Sequence, residues 1–99
     1  MRVELSERAI DDLAGIGLWI AGRSDTETAH NYVERLRAFA MRLANHPLGG
    51  TPRDELLPGL RSMTFERRYI VLYQVVIETG VVRIYSIVSG FRNLPDLFD

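Results

Sequence analysis

Residues Gly59 to Arg92 constrain the fold more than any other stretch of this chain. The run reads Gly-Leu-Arg-Ser-Met-Thr-Phe, breaks at Glu66-Arg67-Arg68, and resumes as Tyr-Ile-Val-Leu-Tyr-Gln-Val-Val-Ile. It breaks again at Glu78-Thr79-Gly80 and closes with Val-Val-Arg-Ile-Tyr-Ser-Ile-Val-Ser-Gly-Phe-Arg. β-Branched and aromatic side chains fit a pleated, half-buried surface, and here they are punctuated only by polar or glycine-containing breaks. That pattern predicts consecutive antiparallel strands. Tyr69, Val71, Tyr73 and Val75 share one face of the middle strand, and Ile70 and Leu72 share the other. With both faces apolar, this strand is expected at the centre of a sheet, covered on both sides.

The upstream residues read as the cover. Arg2-Val3-Glu4-Leu5 alternates polar and apolar, as a short half-buried strand does. Ser6 fits a helix N-cap, and the helix it starts runs to about Gly22 with an apolar stripe of Ala9, Ile10, Leu13, Ile16 and Ile20. Asp11 and Asp12 fall on the other side. Gly15 and Gly17 are expected to allow close packing against a second helix, and Trp19 sits beside the stripe. Ser24-Asp25-Thr26-Glu27 reads as a capping box, with Ser24 as the cap. The second helix then reaches Asn45, with a stripe of Ala29, Val33, Leu36, Ala40 and Leu43 widened by Tyr32 and Phe39. His46-Pro47 ends it, because a residue before proline is pushed out of the helical region. His46 is placed to satisfy terminal carbonyls, and His30 is expected at the surface. Residues 48–55 form a loop, Arg83 marks an exposed strand start, and the tail is expected either to fray or to dock through Leu97 and Phe98.

The expected fold is α+β: an N-terminal strand and an antiparallel two-helix hairpin packed on a three- to four-stranded antiparallel sheet, all in one domain spanning residues 1–99. The first strand is expected beside a late one.

Composition removes several function classes. The chain has no cysteine, so it has no disulfide, thiolate metal site or cysteine nucleophile. Its two histidines are isolated in sequence, so no metal site and no cofactor is expected. All 12 basic residues are arginine, which leaves no side-chain amine for Schiff-base chemistry. A net charge of −1 counts against a broad nucleic-acid-binding surface. No apolar run is long enough to span a bilayer, and the first residues do not resemble a secretory signal, so a cytoplasmic protein without membrane contact is expected. What remains is a set of arginines around the strands, Arg61, Arg67, Arg68, Arg83 and Arg92, which suits recognition of an anionic or acidic partner.

Three ordered segments carry a family likeness. Pro58-Gly59-Leu60-Arg61-Ser62, then Tyr69-Ile70-Val71-Leu72-Tyr73-Gln74-Val75, then Ile84-Tyr85-Ser86-Ile87-Val88-Ser89-Gly90-Phe91-Arg92-Asn93, resemble the ParE/RelE superfamily of toxins from type II toxin–antitoxin modules. The resemblance covers nearly the whole chain. RelE-like members are ribosome-dependent messenger ribonucleases, whose basic side chains orient the 2′-hydroxyl and stabilise phosphate charge without a metal. The positions that look equivalent are Arg61, Met63 and Ile70, of which only the first is basic. Losing one such donor costs about 3 kcal/mol of transition-state stabilisation.

ParE-like members lack that basic set. For them the resemblance implies inhibition of DNA gyrase, silencing by a ParD-like antitoxin, and contact with operator DNA only through that antitoxin. Ser89 and Asn93 stand where histidine and aspartate are common in this branch. The favoured expectation is therefore a non-enzymatic gyrase inhibitor; a RelE-like ribonuclease and a weakened toxin acting as a binding module are the alternatives. In each case the antitoxin tail is expected to fold onto the helical hairpin and along the sheet, touching Leu18, Trp19, Tyr32 and Phe39, with Arg61 and Arg68 meeting its acids.

Overall fold

The computed structural model describes residues 1–90 and 94–98, excluding the side chain of Asp96; the expectations for Arg92 and Asn93 lie outside the described residues. Strand β1 (Arg2–Leu5) leads into helices α1 (Glu7–Arg23) and α2 (Thr26–Met41), followed by a 3₁₀ turn at Arg42–Ala44. Then come β2 (Thr51–Pro52), β3 (Leu60–Phe65), β4 (Tyr69–Val76) and β5 (Val81–Ser89), with a last 3₁₀ segment at Leu94–Phe98. The five strands form one sheet in the order β1-β5-β4-β3-β2.

Two features of the sheet differ from the sequence expectation. It has five strands rather than three or four, because the breaker-rich loop contributes the two-residue β2. It is also mixed, since β1 runs parallel to β5. The alternation in Arg2–Leu5 marks a strand but carries no information about its direction. Direction follows from the hairpin, which carries the chain out along α1 and back along α2 before the meander begins.

The helix ends show how local chemistry sets the hairpin. Ser6 Oγ accepts the Ala9 N–H at 3.0 Å and donates to Tyr85 O at 2.7 Å, so a single hydroxyl caps α1 and ties it to β5. The α2 cap is Asp25 and not Ser24. Asp25 accepts from the Thr28 N–H at 2.7 Å and from the Thr28 hydroxyl at 3.0 Å. Ser24 is instead spent closing α1, where its N–H donates to Ile20 O at 2.8 Å. A carboxylate at a helix N-terminus also meets the positive end of the dipole.

Both faces of β4 are covered, as its composition requires. Towards the helices, Val71 and Tyr73 join Leu13, Ile16, Leu36, Val82, Ile84 and Ile87 in the main core. On the other face, Leu72 packs with Leu60, Val88 and Leu94, flanked by Leu56, Leu57, Ile70, Tyr85, Leu97 and Phe98. The tail therefore docks through Leu97 and Phe98, with Phe98 stacked on Tyr85 at 5.7 Å.

Some stripe residues fall outside their expected environment. Ile10 is 52% exposed and lies outside the core, whereas Tyr32 occupies the buried stripe and Val33 is only partly buried. Gly17 packs against Val33 as expected, but an added Cβ at Gly15 would meet open space. Asp12 also departs from the expected solvent side: its Oδ2 accepts from Ser86 Oγ at 2.7 Å and from the Ile87 N–H at 2.9 Å. At this point β5 carries one extra residue relative to β4, since Leu72 pairs with Ser86 and Tyr73 with Ile84. The carboxylate satisfies groups that the irregular ladder leaves unpaired.

Candidate partner-binding surface

The register of β3 on β4 decides which side chains could act together. Arg61 pairs with Tyr73, Met63 with Val71 and Thr64 with Ile70. Paired residues share a face, so Arg61 and Met63 project towards the helices and Ile70 projects away from them. The grouping of Arg61, Met63 and Ile70 is thus broken. The β3 side chains that share Ile70's face are Leu60, Ser62 and Thr64, with Leu72 and Gln74 beside Ile70 on β4. None of these is a cation. On β5 the same face carries Arg83, opposite Gln74 and Glu4 at the far end of the strands from Tyr69.

Arg61 has structural work. Its guanidinium donates to Gly50 O at 2.8 Å and Leu48 O at 3.2 Å, while Tyr73 Oη accepts the Gly50 N–H at 2.8 Å. Together these side chains clamp residues 48–50 to β3. Gly50 is required there, because an added Cβ would lie 2.5 Å from Tyr73 Oη and 2.9 Å from Ser62 O.

The remaining arginines do not converge. Arg67 and Arg68 sit at the β3–β4 turn, where Glu66 and Arg67 adopt left-handed φ values of 48° and 58° and Arg68 N–H donates to Phe65 O at 2.9 Å. Arg83 lies at the opposite end of the sheet. The single charged surface expected from the sequence is therefore two separate ones among the described residues.

The aromatic candidates divide as well. Leu18 and Trp19 are 77% and 52% exposed on α1. Tyr32 is buried, edge-on to Phe65 at 5.6 Å and Tyr69 at 6.0 Å, and Phe39 packs on Phe65 at 5.1 Å. The Tyr32 hydroxyl is buried with no hydrogen-bond partner among the described residues. Burial, and after it the Glu66 carboxylate, push its phenol above the ordinary tyrosine value. Tyr32 and Phe39 thus support the hairpin from beneath, with Arg35 over the Tyr32 ring at 5.0 Å and Arg42 over Phe39 at 5.7 Å.

Trp19 and Arg68 do come together. They line a cleft of about 650 Å³ between α1 and the adjoining ends of β4 and β5, with Ile16, Tyr69, Ile87 and Val88 as its apolar lining and Asp11 as another charged member. Arg23 stacks on Trp19 at 4.5 Å and holds the indole at the cleft margin. Sequence reasoning missed this cleft. The glycine at position 15, one turn before Trp19 and expected instead to pack on the second helix, was the available signal, because it leaves the space open. Among the described residues, no group of three metal-ligating side chains comes together, and no helix is long and apolar enough to cross a membrane.

A two-helix hairpin on a mixed five-stranded sheet is the fold of the ParE/RelE class. The family model described as ParE toxin of type II toxin-antitoxin system, parDE, matches residues 3–94. Toxin ParE1 of Caulobacter vibrioides is 31% identical over 80 residues, covering 81% of this chain and 82% of that protein. The chain belongs to the ParE toxin family of type II toxin–antitoxin systems. Solved structures share its fold. A chain from the chromosomal ParDE TA system of P. aeruginosa superposes with a TM-score of 0.79 at 22% identity, covering 90% of this chain and 95% of its own. A chain from the toxin–antitoxin complex RelBE2 of Mycobacterium tuberculosis gives a TM-score of 0.67 at 23% identity, over 89% and 95%.

Proposed function

We propose that this toxin inhibits DNA gyrase in the cytoplasm by binding, without breaking a covalent bond of its own, and that a ParD-like antitoxin silences it. The observation that carries this reading is the chemistry of the sheet face away from the helices. Among the described residues, Ser62, Thr64 and Ile70 stand together on it with Arg83 only at the far end, where metal-free phosphodiester cleavage needs several fixed cations side by side. Hydroxyl and alkyl groups cannot neutralise a developing phosphorane.

The antitoxin tail then takes the exposed Leu18 and Trp19 and enters the neighbouring cleft, with an acidic residue meeting Arg68. Exposed aromatic surface beside a cation is the usual make-up of an interface anchor. Arg67 and Arg83 are left for the target. The antitoxin, rather than this near-neutral chain, supplies operator DNA contact.

The test is a supercoiling assay with purified gyrase, relaxed plasmid and the toxin, with and without antitoxin. Inhibition with accumulation of cleaved DNA, reversed by antitoxin, is the expected result. Unimpaired supercoiling at a large excess of folded toxin would remove gyrase as the target.

A further inference from the structure

The two edges of the sheet are built differently. At one edge, β2 is two residues long and ends in Pro52, and short, proline-bearing edges resist strand addition. Among the described residues the other edge carries no proline; its cover is limited to the Arg2 and Glu4 charges and to the Met1 ammonium, which donates to Ala44 O at 3.1 Å. There, β1 pairs regularly with β5, from Arg2 opposite Val81 to Leu5 opposite Ile84. The Arg2 N–H donates to Gly80 O at 3.0 Å and the Ser6 N–H to Ile84 O at 3.0 Å. Backbone groups along a strand alternate sides with a period of two. The even residues therefore serve β5, and Val3 and Leu5 turn their N–H and C=O groups outward. Side chains alternate too. Val3 and Leu5 pack on the main core, while Arg2 and Glu4 form an exposed ion pair at 2.8 Å on the opposite face.

We propose that this edge accepts β1 of a second copy of the chain, antiparallel about a two-fold axis at Val3, so that the two sheets become continuous. The charge order along β1 favours this occupant and this register. With Val3 opposite its symmetry mate, the two valines exchange a pair of backbone hydrogen bonds, and Arg2 of each copy faces Glu4 of the other. Moving the axis one residue either way sets Arg2 against Arg2 or Glu4 against Glu4, which is destabilising. The edge is thus complementary to itself in one register. A four-residue edge buries far less than the roughly 800 Å² per partner of a stable dimer, so association is weak and concentration-dependent. The inference does not depend on the identity of the toxin's target.

Sedimentation of the full chain from micromolar to millimolar concentration tests it. The wild-type chain is expected to dimerise progressively. Arg2→Glu or Glu4→Arg alone turns both cross-strand pairs repulsive and is expected to weaken association by about tenfold or more. In an equimolar mixture of these two variants the hetero-pair regains both attractions, and dimerisation is expected to return to within about threefold of wild type. Val3→Pro removes an outward N–H, along with the valine's packing on the main core, and is expected to leave a monomer; where its melting curve shows unfolding, the charge mixture alone decides. A chain monomeric throughout, dimers indifferent to the single charge changes, or a mixture that fails to recover would each overturn the proposal.

Discussion

Replacing Asp12 by alanine tests the junction between α1 and β5. The Asp12 carboxylate accepts from the Ser86 hydroxyl at 2.7 Å and the Ile87 N–H at 2.9 Å, where β5 carries its extra residue. Ser86 is 1% exposed, so water does not take over freely when the acceptor is lost. Each orphaned buried group costs about 1–3 kcal/mol, which sets the expected loss for Asp12→Ala near 3 kcal/mol. That is a large share of the roughly 5–15 kcal/mol that holds a domain of this size together. Urea unfolding followed by circular dichroism should show a lower midpoint with an unchanged slope. Adding Ser86→Ala removes one orphan and should restore about 1 kcal/mol. A loss for Asp12→Ala below about 1 kcal/mol, or a double variant no more stable than the single one, would refute the idea that this carboxylate satisfies the irregular ladder.

Three further outcomes follow from the same geometry. Trp19→Ala should leave stability within about 0.5 kcal/mol of wild type while weakening antitoxin binding by roughly 30-fold, measured by calorimetry, whereas Phe39→Ala should mainly lower the melting temperature. Replacing Glu66-Arg67 by Asn-Gly suits two consecutive left-handed residues and should stabilise the chain by about 1 kcal/mol in thermal unfolding. The Asp25 carboxyl is held below its ordinary value, first by the Thr28 N–H and then by the Thr28 hydroxyl. Its capping contribution is therefore complete above the unfolded value of about 4 and disappears as pH falls through the lower folded value. Carbon-detected NMR titration should place the Asp25 midpoint below that of ordinary aspartates.

The strands and both helices were legible because burial leaves a periodic trace. β4, apolar on both faces, lies between two apolar clusters in the structure. Strand direction was not legible in β1, since parallel and antiparallel neighbours bury Val3 and Leu5 equally well. Capping at Asp25 was missed because Ser24 and Asp25 are both good caps, and only the length of α1 decides between them. The site was harder still. Arg61 looks like a recognition residue in sequence, yet its partners are carbonyls of Leu48 and Gly50 brought close by the fold. The pairing of Thr64, rather than Met63, with Ile70 likewise depends on the tight turn at Glu66-Arg67. A cleft formed by α1 with β4 and β5 has no contiguous sequence to announce it.

The central claim is that this protein acts by recognition and not by cutting RNA. Mapping messenger 5′ ends in a translating extract, after adding the purified toxin, tests it most directly. The account predicts messages as intact as in the untreated extract. New ends within ribosome-bound codons, lost when Ser62, Thr64 or the neighbouring face is altered in an otherwise folded protein, would contradict it.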